Sequence, residues 1–198
     1  GAAVVGNALY VVSQGTGELV ELDARSLDPA LTVRRSFEVG EGPTGVDVDA
    51  VTQIAVVWSQ GAHELSVVSL GSGDVERFAV AGDPLDPELA RGRRLFHAER
   101  DRRISRDGRA CASCHPEGRD DGLVWKLGAG PRQTPTLVGR LERGPYAWLG
   151  KHERLEENMQ ETMGRLGGTG LPEAELRSLA AYVRRGLRAP QRPTARAQ

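Results

Sequence analysis

The hydrophobic period of this chain changes once, at Asp83-Pro84-Leu85-Asp86-Pro87, and that change divides it into two differently patterned parts. Before it, apolar and polar residues alternate in the short runs Leu9–Val12, Glu18–Leu22, Ile54–Trp58 and Glu64–Val68, the period of half-buried strands, with Gly, Asp and Ser between them. After it the spacing is helical. Leu89, Gly92, Leu95 and Phe96 share one face, and Leu176, Leu179, Ala180, Val183 and Leu187 share another. Asp86 suits an N-cap and Pro87 the first turn, Pro172 opens the later helix, and Gly186 and Pro190 mark its stop. The expected division is strands over 1–82, a helical domain over 83–189, and a disordered tail or linker over 190–198, where Pro, Arg and Ala show no core pattern.

The strand half repeats itself. Ser13-Gln14-Gly15 returns as Ser59-Gln60-Gly61 and Glu18-Leu19 as Glu64-Leu65, both 46 residues on, and Gly42-Pro43 is answered by Gly82-Asp83-Pro84. A period of about 40–46 with four short strands per unit is the signature of β-propeller blades. The half resembles the YVTN/WD-like propellers, with Tyr10-Val11-Val12-Ser13 as the local echo; a small all-β sandwich is the alternative. Two blades do not close a ring, which takes about four to eight. The expectation is therefore a partial set of blades from a longer protein.

The helical half carries the most specific chemistry, Cys111-Ala112-Ser113-Cys114-His115. In C-x-x-C-H, two thiols can each add to one vinyl group of the same porphyrin, and the next residue presents an imidazole to the iron. These are the only two cysteines of the chain, and no further soft ligands cluster near them as a zinc site would need. A thioredoxin-like pair shares C-x-x-C but has no need of the histidine. The reading is one covalent haem c on Cys111 and Cys114, with His115 as the first iron ligand. Met163 leads for the second ligand; Met159, His97, His152 and an open face are the alternatives. Arg132 suits a haem propionate, as does Arg119. Trp148 and Trp125 suit packing on the porphyrin. Arg91, Arg93, Arg94, Arg100, Arg102, Arg103, Arg106 and Arg109 make a basic run, either a solvated face or a docking rim for an acidic redox partner.

Two helices bracketing the motif, with Gly92-x-x-Leu95-Phe96 and Leu179-x-x-Tyr182-Val183, resemble class I cytochrome c, in which a glycine lets such helices cross closely. The ordered series Ala110–Pro116, Asp121-Gly122-Leu123, Gly130–Leu137 and Pro145–Gly150 resembles the bacterial dihaem cytochrome c peroxidase and MauG-like family. Met163-Gly164-Arg165-Leu166-Gly167 resembles that family's methionine segment, which places Met163 ahead of Met159. Two departures stand out: there is one C-x-x-C-H, and Trp148-Leu149-Gly150 lacks the acid of W-D-G. The fold class so implied is mixed, an N-terminal all-β propeller-blade segment followed by an all-α class I cytochrome c-like domain.

A formal net charge of −1 favours neither nucleic acid nor a bulk anionic surface, and no apolar run is long enough to span a membrane. The expected function is electron transfer within a dihaem-peroxidase-like oxidoreductase, with a redox partner protein and hydrogen peroxide or another small substrate. The alternative is a haem-bearing propeller that binds or senses without catalysis. Because bacteria attach haem to C-x-x-C-H outside the cytoplasm, the expected location is the periplasm or cell surface.

Overall fold

A computed structural model of the chain describes residues 1–127 and 130–187. They form two compact units, one of Gly1–Asp86 with His97–Arg100, the other of Pro87–Phe96 with the described residues from Asp101 on. The expected tail, 190–198, lies outside the described residues.

The first unit is two four-stranded antiparallel sheets, each a simple meander. One consists of β1 (Ala2–Val5), β2 (Ala8–Ser13), β3 (Glu18–Asp23) and β4 (Val33–Glu38); the other of β5 (Pro43–Asp49), β6 (Ile54–Ser59), β7 (Glu64–Ser69) and β8 (Val75–Ala79). Alternation puts every second side chain of the central strands into the space between the sheets. Tyr10, Val12, Leu19 and Phe37 come from the first sheet; Ala55, Val57, Val68 and Leu70 come from the second and its flank. Glu21 is drawn into the same region, 7% exposed. Arg35 holds it there, donating from Nε at 2.9 Å while also donating to the carbonyl of Leu70 and lying over the Phe37 ring. A buried carboxylate is tolerated where such charge-assisted bonds replace its water.

Here the propeller expectation is corrected: the sheets close no ring. Alternation and tight turns specify a four-stranded meander locally, whereas closure depends on neighbouring sheets that local pattern does not encode.

The second unit contains α1 (Pro87–His97), the one-turn α2 (Cys111–Cys114), β9 (Val124–Leu127), β10 (Gly130–Gln133), α3 (Leu155–Arg165) and α4 (Glu173–Ala181), which runs into a π-turn at Tyr182–Gly186. An all-α cytochrome c-like domain is therefore also corrected. Between the motif and α3 the chain forms an antiparallel ribbon in which Trp125 faces Arg132. That ribbon is held from its side: the Trp125 indole N–H lies 2.9 Å from an Asp121 oxygen and 3.0 Å from the Thr134 hydroxyl.

Helix α1 buries Ala90, Gly92, Leu95 and Phe96. Gly92 meets Ser178 and Tyr182 so closely that a β-carbon would fall 2.5 Å from Tyr182 Cβ. The rings of Phe96 and Tyr182 stack obliquely, 5.6 Å between centroids. Among the described residues no helix is long and apolar enough to cross a membrane.

Candidate functional site

The motif sits on a single turn of helix. Ser113 makes that turn self-contained: its hydroxyl accepts from the Ala110 N–H at 3.0 Å, and its own N–H donates to the Ala110 carbonyl at 3.2 Å. Cys111 and Cys114, three apart, therefore lie on one face, both half-buried and both free thiols. The His115 N–H closes the turn on the Cys111 carbonyl at 2.9 Å. The chain then reverses through Glu117 and Gly118, both at positive φ. A β-carbon at Gly118 would lie 2.7 Å from Val138 and from Leu187. The Gly118 carbonyl accepts from the N–H groups of Leu137 and Val138, which seats the run 134–138 against the motif.

The electrostatics separate two chemistries that the spacing alone leaves open. Burial pushes the Cys111 thiol up to about 12. Burial also raises Cys114, against the opposing pull of the Arg109 guanidinium. Dithiol oxidoreductases need the reverse, a thiolate favoured by its surroundings, so thiol–disulfide exchange is a poor match. Burial lowers His115, and the backbone groups of Arg119 and Pro135 only partly offset it. The imidazole is therefore neutral near pH 7, with a lone pair available to a metal. Its Nδ1 is buried without a hydrogen-bond partner.

Arg109 organises the rim. It pairs with Asp107 at 2.6 Å and lies 5.4 Å from the centre of the Trp125 ring. Hydrogen bonding from Arg109 holds the Asp107 carboxyl down at about 2, against an ordinary value of 3.8. A depressed carboxyl contributes stability that is complete above its unfolded value and lost as pH falls through its folded one. Asp107→Asn is therefore expected to remove part of the acid sensitivity between about pH 4 and 2. Urea midpoints followed across that range check it, and parallel wild-type and variant curves would count against it.

The same loop reaches α3. Ser105 is fully buried and its hydroxyl donates to the Arg109 carbonyl at 2.7 Å. Ser105 also bridges to Gly167, and the Arg106 N–H donates to the Leu166 carbonyl at 3.1 Å. The Gly168 N–H returns to the Met163 carbonyl at 2.9 Å. The end of α3 that carries Met163 is thus tied to the segment leading into the motif, and Met163 is 3% exposed. Met159, one turn earlier, packs instead on Tyr146, Leu155 and Ala180. The His152 Nε2 is 2.9 Å from Glu161, which also holds Lys151, and His97 belongs to the first unit.

Arg132 and Trp148 are brought together, the guanidinium carbon 5.9 Å from the indole centre. Trp148 and its neighbour Leu149 stand out into solvent, as do Leu123 and Val124 after the motif. Of the basic run, Arg100 pairs with Glu18, Arg103 with Asp101 and Glu175, and Arg109 with Asp107, while Arg102 donates to the Arg106 carbonyl. Arg93 and Arg94 are engaged as well, so most of that run interacts within the chain. The Arg109–Asp107–Trp125 rim and the Ser105 link were not singled out as a site by sequence reasoning; D-x-R followed by a tryptophan 16 residues on carries no periodic signal.

Among the described residues no three or more His, Cys, Asp or Glu side chains group so as to hold a metal ion. No family model matches the chain, and no curated protein matches it. With neither match, with a ribbon in the motif-bearing unit and with no ring of sheets, the resemblances to the dihaem cytochrome c peroxidase and MauG-like family and to YVTN/WD-like propellers are not upheld.

Proposed function

We propose that this chain carries one haem c on Cys111 and Cys114 and serves in electron transfer. The observation that carries the reading is the buried, unpartnered Nδ1 of a neutral His115 directly after two free thiols on one helical turn. A haem supplies reversible one-electron chemistry when bound. The remaining work falls to the residues. Cys111 and Cys114 would hold the haem through thioether links to its two vinyl positions, an attachment that would need no oxidant. His115 offers its lone pair from an orientation fixed by the end of α2. Met163 offers a thioether as the second ligand, Arg132 a guanidinium for a propionate, and Trp148 an apolar face. The exposed apolar side chains of Leu123, Val124, Trp148 and Leu149 are of the kind that a porphyrin would shield from water. A redox partner protein follows from the reading, and so does a periplasmic or cell-surface location.

The test is maturation. Co-expression with a periplasmic haem-attachment system is expected to yield a coloured protein. It should show an alkaline pyridine spectrum of haem c and an intact mass one haem above the bare polypeptide. Cys111→Ser with Cys114→Ser should abolish both. A colourless wild-type protein at the bare polypeptide mass would overturn the proposal.

A further inference from the structure

The repeat in the first unit makes one of its surfaces interpretable. Shifting β2 and β3 by 46 residues gives β6 and β7 with the same bounds. Phe37, opposite Leu19, answers to Phe78, opposite Leu65. The two sheets are therefore equivalent strand for strand, yet they bury opposite faces. The first sheet packs inward with Tyr10, Val12, Leu19 and Phe37. Their counterparts in the second are Val56, Trp58, Leu65 and Phe78, which face away from the shared core; Val56 is 38% and Phe78 50% exposed. Conversely, the second sheet packs inward with Val48, Ala55, Val57 and Val68, whose counterparts Val4, Leu9, Val11 and Leu22 lie on the outer face of the first, where Val4 is 65% exposed, Leu9 and Val11 are half-buried and Leu22, near the end of β3, is buried.

The contact between the sheets is thus head-to-tail: one face meets the opposite face of its equivalent. Each sheet has one such face left over, and the two left-over faces have the same apolar character as the pair already joined. Where the first sheet buries Glu21 with Arg35, the outer face of the second carries Val67 and Glu76 at the corresponding positions, so the free face has gained an apolar residue at its centre. An apolar sheet face is stable when covered by another layer, and repeat units cover one another by this kind of translation.

We propose that the outer face of β5–β8, centred on Trp58, Leu65 and Phe78, docks on the outer face of β1–β4 of a second copy of this chain. The occupant is a second copy because the matching face, Leu9 and Val11 flanked by Val4, is on the chain itself, and the joined pair of sheets already displays the mode. Such an interface is heterologous, so it adds copies without closing.

Sedimentation equilibrium of the full chain over a concentration series tests this. The wild type is expected to rise from its 21.3 kDa monomer to beyond two chains. Val4→Lys and Phe78→Lys, both on outermost strands, should each remain monomeric, while their equimolar mixture should form a one-to-one dimer from the two intact faces. A monomeric wild type at every concentration overturns the proposal. Loss of association in only one variant means a face pairing with itself, and overturns it too. A mixture that stays monomeric, or variants that still associate, as edge-to-edge strand pairing would allow, has the same result. Should circular dichroism show either variant unfolded, Ala2→Lys and Val56→Lys probe the same two faces.

Discussion

Gly92→Ala is expected to destabilise the second unit by about 3 kcal/mol and to lower its melting temperature by roughly 10 °C. The nearest atoms to an added β-carbon are the Ser178 carbonyl oxygen, Tyr182 Cβ at 2.5 Å and the Ser178 carbonyl carbon at 2.8 Å. None of these can swing aside by changing a rotamer. Relief requires α1 to move off α4, which separates Phe96 from Tyr182 and exposes Leu95 and Leu179. Alanine gains about 1 kcal/mol over glycine in helix propensity, and the clash must exceed that gain. Gly164 supplies the contrast. It too lies in a helix, but it is exposed, with nothing within 4 Å of an added β-carbon. Gly164→Ala should stabilise by about 0.5–1 kcal/mol, since only propensity changes. Thermal unfolding in the far ultraviolet reads both, and equal shifts in the two variants would show that the helix crossing does not decide the Gly92 effect.

Which elements were legible follows from how much each one buries. The alternating runs before residue 83 lie within β2, β3, β6 and β7, the central strands, where one side of every residue pair is removed from water. The outer strands gave little pattern because they bury little. In β4 only Phe37 is buried, and β8 has no buried residue. Such strands form because the central ones present unpaired backbone groups, not because their own side chains demand it. The ribbon β9–β10 is of the same kind: Gly130-Pro131-Arg132-Gln133 has no apolar alternation, and its position depends on the Trp125 bonds to Asp121 and Thr134. Helix α3 is mostly polar and buries only Leu155 and Met163, so its periodicity is faint. The thiols and imidazole were readable because five consecutive residues hold them. The supports around them, Ser105 on the Arg109 carbonyl and Asp107 on Arg109, become meaningful only when the loop is folded against α3.

Met163→Ala is expected to change the matured protein's reduced spectrum and to make it bind carbon monoxide, whereas Met159→Ala should leave the spectrum unchanged. The argument rests on where the two thioethers sit. Met159 already has an apolar environment in Tyr146, Leu155 and Ala180, which accounts for it as packing. Met163 lies at the end of α3 that is bound through Leu166 and Gly167 to residues 105–106, a few positions before Cys111. With haem held as proposed, a thioether from Met163 would raise the iron's potential and compete with carbon monoxide for it, so its removal should lower the potential and admit the gas. The substitution also empties a buried site, with an expected loss of about 2–5 kcal/mol. The spectrum is therefore read well below the variant's melting temperature, with Met163→Leu as the volume-conserving check that separates packing from ligation. If Met163→Leu kept the wild-type spectrum and excluded carbon monoxide, ligation by Met163 would be refuted. His152 would require the breaking of its 2.9 Å contact with Glu161, and a changed spectrum in Glu161→Gln would point there. A change confined to Met159→Ala would instead move the ligand one helical turn back, and the packing role assigned to Met159 would fall with it.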